Sequence, residues 1–174
     1  HKIFWRINPY SVKNIRGSVQ TKFKTTQPGV SIISFDLNSA LFMYSIYYRG
    51  GKLPGGNITR AGNTFNINLG VVLADNYIDS VTVFYRGIPP GVAGAAQGYQ
   101  LNSTRSGTAG NMINTLSESY EDRDWWPCKA DMQDKIDSMD ISVSVPWGKL
   151  GSTGSIKQVD TFGWQQTAKW LTRS

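Results

Sequence analysis

The chain has 174 residues, enough to bury a real core in one domain and too few for a second full one. Charged residues make up 17% against the roughly 25% of an average soluble protein, while Gly, Ser, Thr, Asn and aromatics are plentiful, a strand-and-turn composition that predicts an all-β fold. The net charge is +6, but the bases are scattered singly and nowhere form a run of four, so no nucleic-acid partner is predicted.

In chain order, period-two alternation predicts half-buried strands at "SVQTKF" (18–23) and "SIISFDL" (31–37). "LFMYSIYYRG" (41–50) is more continuously apolar and predicts a strand buried on both faces. Alternation returns at "TFNINL" (64–69) and "DSVTVFYRG" (79–87). Between these runs sit breakers such as Pro28-Gly29, Gly50-Gly51, Gly62-Asn63 and Pro89-Pro90-Gly91, which suits a meander or sandwich.

The text from Gly91 to Gly110 is small-residue, aperiodic and free of acids, and predicts a long loop. A strand-like "NMINTLS" (111–117) follows, and then "ESYEDRDWWPC", whose charges and Pro127 exclude a regular strand and predict an irregular turn. Trp125 and Trp126 do not belong side by side in solvent, so at least one is expected to be buried, in this domain or against a neighbour. Asp134, Lys135 and Asp137 read as turn and capping residues before a strand, "DISVSVP" (140–146). The tail "GSIKQVDTFGWQQTAKWLTRS" predicts a closing hairpin with its turn near Phe162-Gly163 or Gln165-Gln166.

Charge is segregated along the chain. Residues 118–140 hold eight of the twelve acids and only three bases, Arg123, Lys129 and Lys135. An acidic patch on a basic body attracts a cation, either a basic partner or an ammonium group, unless it is simply a solvated loop. A single cysteine, Cys128, rules out an internal disulfide and a cysteine cluster for zinc, and a single histidine, His1, rules out a triad or metal site built on an internal histidine. No apolar stretch of about eighteen residues is present, so no membrane span is predicted. The start "HKIFWRINPY" lacks the apolar core of a signal peptide, and the chain reads as a piece of something longer.

Thr115, Glu118, Arg123, Pro127, Cys128 and Lys135, followed by "SMDISVSVP", stand in an order that resembles the aminopeptidase N family of zinc metallopeptidases. The family's pattern is T-Q-F-E-x-x-x-A-R-x-x-x-P-C-x-D-x-x-x-x-K-A before a strand ending in Pro. Here Leu116 stands for the Gln, Asp122 for the Ala, and Ala130, with Asp131 beside it, for the Asp. "INPYSVKNIRGSVQTKFK" is similar to the family's opening strands, "SIISFDLN" to its T-I-x-F-D-L-N strand and "DSVTVFYRGIPP" to its x-V-x-V-x-Y-x-G-x-P-P strand, and "RDWWPCK" with "DKIDS" resembles its large secreted bacterial branch.

The resemblance implies an antiparallel, saddle-like β-sandwich spanning residues 1–174 as a single β domain, non-catalytic and packed on a zinc domain absent from this chain. It implies zinc in the parent but no cofactor in this fragment, a peptide N-terminus as substrate, and a secreted, periplasmic or cell-surface location. In the family the residue matching Glu118 binds the substrate's α-amino group. Physically, a carboxylate facing a dry cleft makes a strong charge-assisted bond to an ammonium; the competing local role is a pair with Arg123. Arg123, Trp125, Trp126 and Pro127 are then docking or support residues, with an uncovered apolar face that includes Trp126. The rival is a carbohydrate-binding or adhesive β-sandwich, in which clustered aromatics serve as stacking platforms.

Overall fold

The computed structural model describes residues 1–8, 14–90, 98–105, 108–116, 121–131, 133–146, 155–163 and 165–173. In chain order the strands are β1 (Lys2–Ile7), β2 (Ile15–Lys24), β3 (Val30–Asp36), β4 (Leu41–Tyr48), β5 (Gly51–Lys52), β6 (Ile58–Ala61) and β7 (Thr64–Leu73). They continue as β8 (Ile78–Gly87), β9 (Gly98–Arg105), β10 (Thr108–Leu116), β11 (Ser138–Pro146), β12 (Ser155–Phe162) and β13 (Gln165–Arg173). Short 3-10 turns lie at Gly55–Asn57 and Asp122–Asp124. Among the described residues no helix is long and apolar enough to cross a membrane.

The main sheet has eight strands in the order β12-β13-β11-β1-β2-β8-β4-β5, antiparallel throughout except where β1 runs parallel to β11. A three-stranded antiparallel sheet, β3-β7-β6, supplies the second layer, and β9 pairs with β10 as a separate hairpin. Alternation places the core between the layers. Ile3 and Trp5 of β1, Ile15 and Val19 of β2, and Val81, Val83 and Tyr85 of β8 point inward. They share one apolar cluster with Phe35 of β3 and Phe65, Ile67 and Leu69 of β7. Full burial of each such side chain contributes about 1.5–3 kcal/mol, so this interface is what holds the two sheets together. The architecture is the all-β sandwich that the composition predicts.

Two expectations are corrected. The segment 91–110 is not one long loop: residues 98–105 form β9 and 108–110 open β10, which pair in register from Thr108↔Arg105 to Leu116↔Gly98 with an irregularity between Ala109 and Met112. Ladder hydrogen bonds, rather than side-chain periodicity, define this hairpin, and a text of small polar residues conceals it. Nor is β4 buried on both faces. Leu41, Ile46 and Tyr48 are buried while Phe42, Tyr44 and Tyr47 are exposed, and a register shift between Met43 and Ser45 breaks the alternation. Its apolar run is therefore one core face plus one outward aromatic face.

The closing hairpin is present, β12 and β13 pairing from Phe162↔Gln165 onward, which puts the turn directly after Phe162.

Candidate functional site

The acidic stretch with its paired tryptophans is held against the sandwich by main-chain bonds that its sequence alone does not announce. Cys128 N donates to Asp36 O at 3.0 Å and Asp36 N donates to Cys128 O at 2.7 Å, an isolated antiparallel bridge that fastens the segment to the end of β3. Two residues after Asp36, Asn38 grips the turn twice: its N–H donates to Arg123 O at 2.7 Å and its Nδ2 to Asp124 Oδ1 at 2.8 Å. The Asp36 carboxylate closes the clamp, accepting Ala130 N at 3.2 Å on one oxygen and Thr64 Oγ1 at 2.7 Å on the other. Within the segment, Asp122 O accepts from both Trp125 N and Trp126 N, so the chain makes one tight turn before Pro127. Proline's missing donor and fixed φ end that turn.

The tryptophans are anchored from inside. Trp5 Nε1 donates to Tyr85 Oη at 2.7 Å, and Tyr85 Oη donates to Trp125 O at 2.8 Å, a buried relay from β1 through β8 to the turn. The rings of Trp5 and Trp125 lie 4.7 Å apart and tilted. Trp126 is 4% exposed, its ring 5.4 Å from that of His1 in an edge contact. Pro127 and Cys128 are also buried. Trp126 therefore does not belong to an uncovered docking face: the Asp36–Cys128 bridge draws it into this chain's own core. Burial, with the Asp122 carboxylate beside it, pushes the Cys128 thiol well up from its ordinary range, so the group is a packed thiol and not a nucleophile.

The relay leaves no room beside it. A Cβ on Gly17 would lie 2.8 Å from Trp5 Cδ1 and 3.0 Å from Tyr85 Oη. Gly17→Ala is expected to destabilise the chain by about 1–3 kcal/mol through overpacking, read as a lower urea midpoint with unchanged slope. An unshifted midpoint would mean that the Trp5–Tyr85 bond is dispensable.

Of the residues singled out from the sequence, Arg123, Trp125, Trp126 and Pro127 are brought together in this one turn. Glu118 lies outside the described residues. Among the described residues Arg123 forms no ion pair, while Lys129 pairs with Asp134 and approaches Asp131 at 3.9 Å in solvent. Such exposed pairs contribute at most about 1 kcal/mol, which agrees with a turn-shaping role for those acids.

Sequence reasoning assigned nothing to Asp36, Asn38, Tyr85 or Glu121. The first three act through partners forty or more positions away or through their main chain, which local patterns do not reveal. Glu121 is distinctive for another reason. Its Oε2 is the one buried side-chain oxygen without a hydrogen-bond partner among the described residues. An unsatisfied buried acceptor costs about 1–3 kcal/mol, and a donor from a bound cation removes that cost. What the arrangement can do chemically is present carboxylates on a braced turn to a cationic group. Among the described residues no three His, Cys, Asp or Glu side chains gather as a metal site, and no hydrolytic step is derived from them.

No protein-family model and no curated protein matches the sequence. Solved structures match its fold closely. An M1 zinc metallopeptidase from Deinococcus radiodurans superposes with a TM-score of 0.81 at 17% identity, covering 99% of this chain and 38% of that one. A substituted two-domain M1 zinc metallopeptidase bound to L-arginine gives 0.81 at 16% identity, with 99% and 38% covered. A substituted Deinococcus radiodurans enzyme bound to a Tyr-Ser-Ala substrate gives 0.81 at 16%, with 98% and 37% covered. The chain thus spans 38% of the length of the first of these solved chains. It has the fold of the N-terminal β domain of M1 zinc metallopeptidases.

Proposed function

We propose that this chain is the non-catalytic N-terminal domain of a zinc-dependent aminopeptidase, spanning residues 1–174 and acting with a zinc domain encoded beyond it. The observation that carries the reading is the fold match, which takes in 99% of this chain but only 38% of a zinc metallopeptidase. In that arrangement the chain contributes recognition of the substrate's free α-amino group through Glu118. The turn that follows Glu118 is clamped by Asp36 and Asn38 and braced by Trp125, Trp126 and Pro127. Rigid support of this kind is what a binding carboxylate needs, because a misplacement of about 1 Å can cost a hundredfold in rate.

Zinc belongs to the other domain in this proposal; the residues described here do not fit a zinc site, and their part is binding and orientation. A carboxylate that pairs with an ammonium prefers a free N-terminus over an acylated one by a charge-assisted bond. The proposed location is secreted, periplasmic or cell-surface, in keeping with the resemblance of "RDWWPCK" and "DKIDS" to a secreted bacterial branch. Sequencing the coding region that follows Ser174 tests the proposal. A His-Glu-x-x-His segment with a later Glu is the expected outcome, and a continuation with no such segment overturns it.

A further inference from the structure

Bases that lie far apart in the sequence are aligned by the strand register on the outward face of the main sheet. Arg6 of β1 is directly opposite Arg16 of β2, and Arg16 is directly opposite Arg86 of β8. Directly paired residues share a face, and neighbouring strands are about 4.8 Å apart, so three guanidiniums form one row across adjacent strands. All three are exposed, and among the described residues no side-chain hydrogen bond or ion pair holds any of them. The Tyr44 ring lies 5.9 Å from the Arg16 guanidinium and 6.0 Å from that of Arg86. Like charges directly opposite one another are unfavourable in a sheet, and an anion laid across the row reverses the sign.

The next row on the same face is aromatic. Phe4 is opposite Ser18, and Ser18 is opposite Phe84. Phe84 packs between Tyr44 and Tyr47, with ring centroids 6.1 Å and 5.6 Å away. Beside it opens a groove of about 520 Å³ lined by Lys2, Phe4, Ser18, Gln20, Lys157 and Lys169. Of the acids, Asp140 lines this groove opposite Lys2, and Asp160 lies 3.8 Å from the groove residue Lys169. Neither is opposite an arginine of the row.

We propose that this face binds an acidic oligosaccharide, its carboxylate or sulfate groups on Arg6, Arg16 and Arg86 and its sugar faces against the aromatic row. The site is separate from the clamped turn and does not depend on the aminopeptidase reading. One feature favours a glycan over a nucleic acid: the groove offers hydroxyl and amide groups from Ser18, Gln20, Thr82 and Ser142.

The test is calorimetric titration of the 174-residue chain with a heparin-derived hexasaccharide, a neutral cellohexaose and a hexameric oligothymidylate. The expected result is saturable binding of the sulfated hexasaccharide, weakened by salt, with little binding of the other two. Arg16→Gln/Arg86→Gln should weaken binding at least about tenfold, while Arg16→Lys/Arg86→Lys, which keeps the charge, should stay within about threefold. These positions are exposed and leave the core untouched. No binding, equal binding by the Gln variant, or equal binding of the oligothymidylate overturns the proposal. Binding of the neutral sugar as tightly as the sulfated one overturns it too, since the arginine row would then be idle.

Discussion

Replacing Glu118 by Gln in the parent enzyme is expected to lower kcat/KM on a free peptide by about thirty- to a thousand-fold. That is the kinetic equivalent of roughly 2–4 kcal/mol, the loss of a partly buried charge-assisted bond. Gln keeps the shape of the side chain and removes its charge. Stability should move by less than about 1 kcal/mol, because a carboxylate poised for a ligand is seldom satisfied by its own domain. A structural residue behaves in the opposite way. Unchanged efficiency with a large drop in melting temperature would assign Glu118 to the turn, as a partner of Arg123 or another local base.

The second large effect is on stability. Trp126→Ala is expected to cost about 3–5 kcal/mol, the range for emptying a fully buried tryptophan site. The ring is 4% exposed and sits in the cluster that joins the two sheets, next to Pro127 and the Asp36–Cys128 bridge. For a chain of this size that corresponds to a drop in Tm of roughly 6–20 °C, read by circular dichroism. A drop of only a degree or two would place Trp126 at a surface that something else covers. Trp125 is half-buried and keeps its main-chain bond to Tyr85 whatever its side chain, so Trp125→Ala should cost less.

These two residues show how much the sequence discloses and where it stops. Strands with clean alternation are legible: "TFNINL" and "DSVTVFYRG" lie wholly within β7 and β8, since a two-residue period is a local property. The irregular turn at Asp122–Asp124 is legible for the same reason, as charge and Pro127 forbid a ladder there. That one of the two tryptophans is buried is legible too, but which one is not, because it depends on Asp36, more than eighty positions earlier, pairing with Cys128. The hairpin β9–β10 is hidden by Gly, Ser, Thr and Asn, which say turn locally while the backbone pairs at longer range. β4 misleads in a more informative way: its aromatics look like a second core face, but Phe42 alternates outward from Leu41 and the register shift after Met43 turns Tyr47 to the surface and Ile46 inward.

Charge follows the same logic. In the sequence Arg6, Arg16 and Arg86 are isolated bases, and nothing within ten residues of Arg86 hints at the other two. Register aligns them, and the inward-facing Ile3, Trp5, Ile15 and Val83 pin it against a one-residue slip, which would turn them to solvent. The acidic segment, in contrast, is contiguous and therefore visible at once, although its clamp on Asp36 and Asn38 is not.

The central claim, that this chain serves an enzyme which recognises a free peptide N-terminus, is tested most directly by assaying the parent protein on one peptide in two forms. The account predicts release of the first residue from the free peptide, loss of that activity with a zinc chelator, and at least about a hundredfold lower kcat/KM on the N-acetylated peptide. Equal hydrolysis of the two forms, or activity indifferent to the chelator, would contradict it.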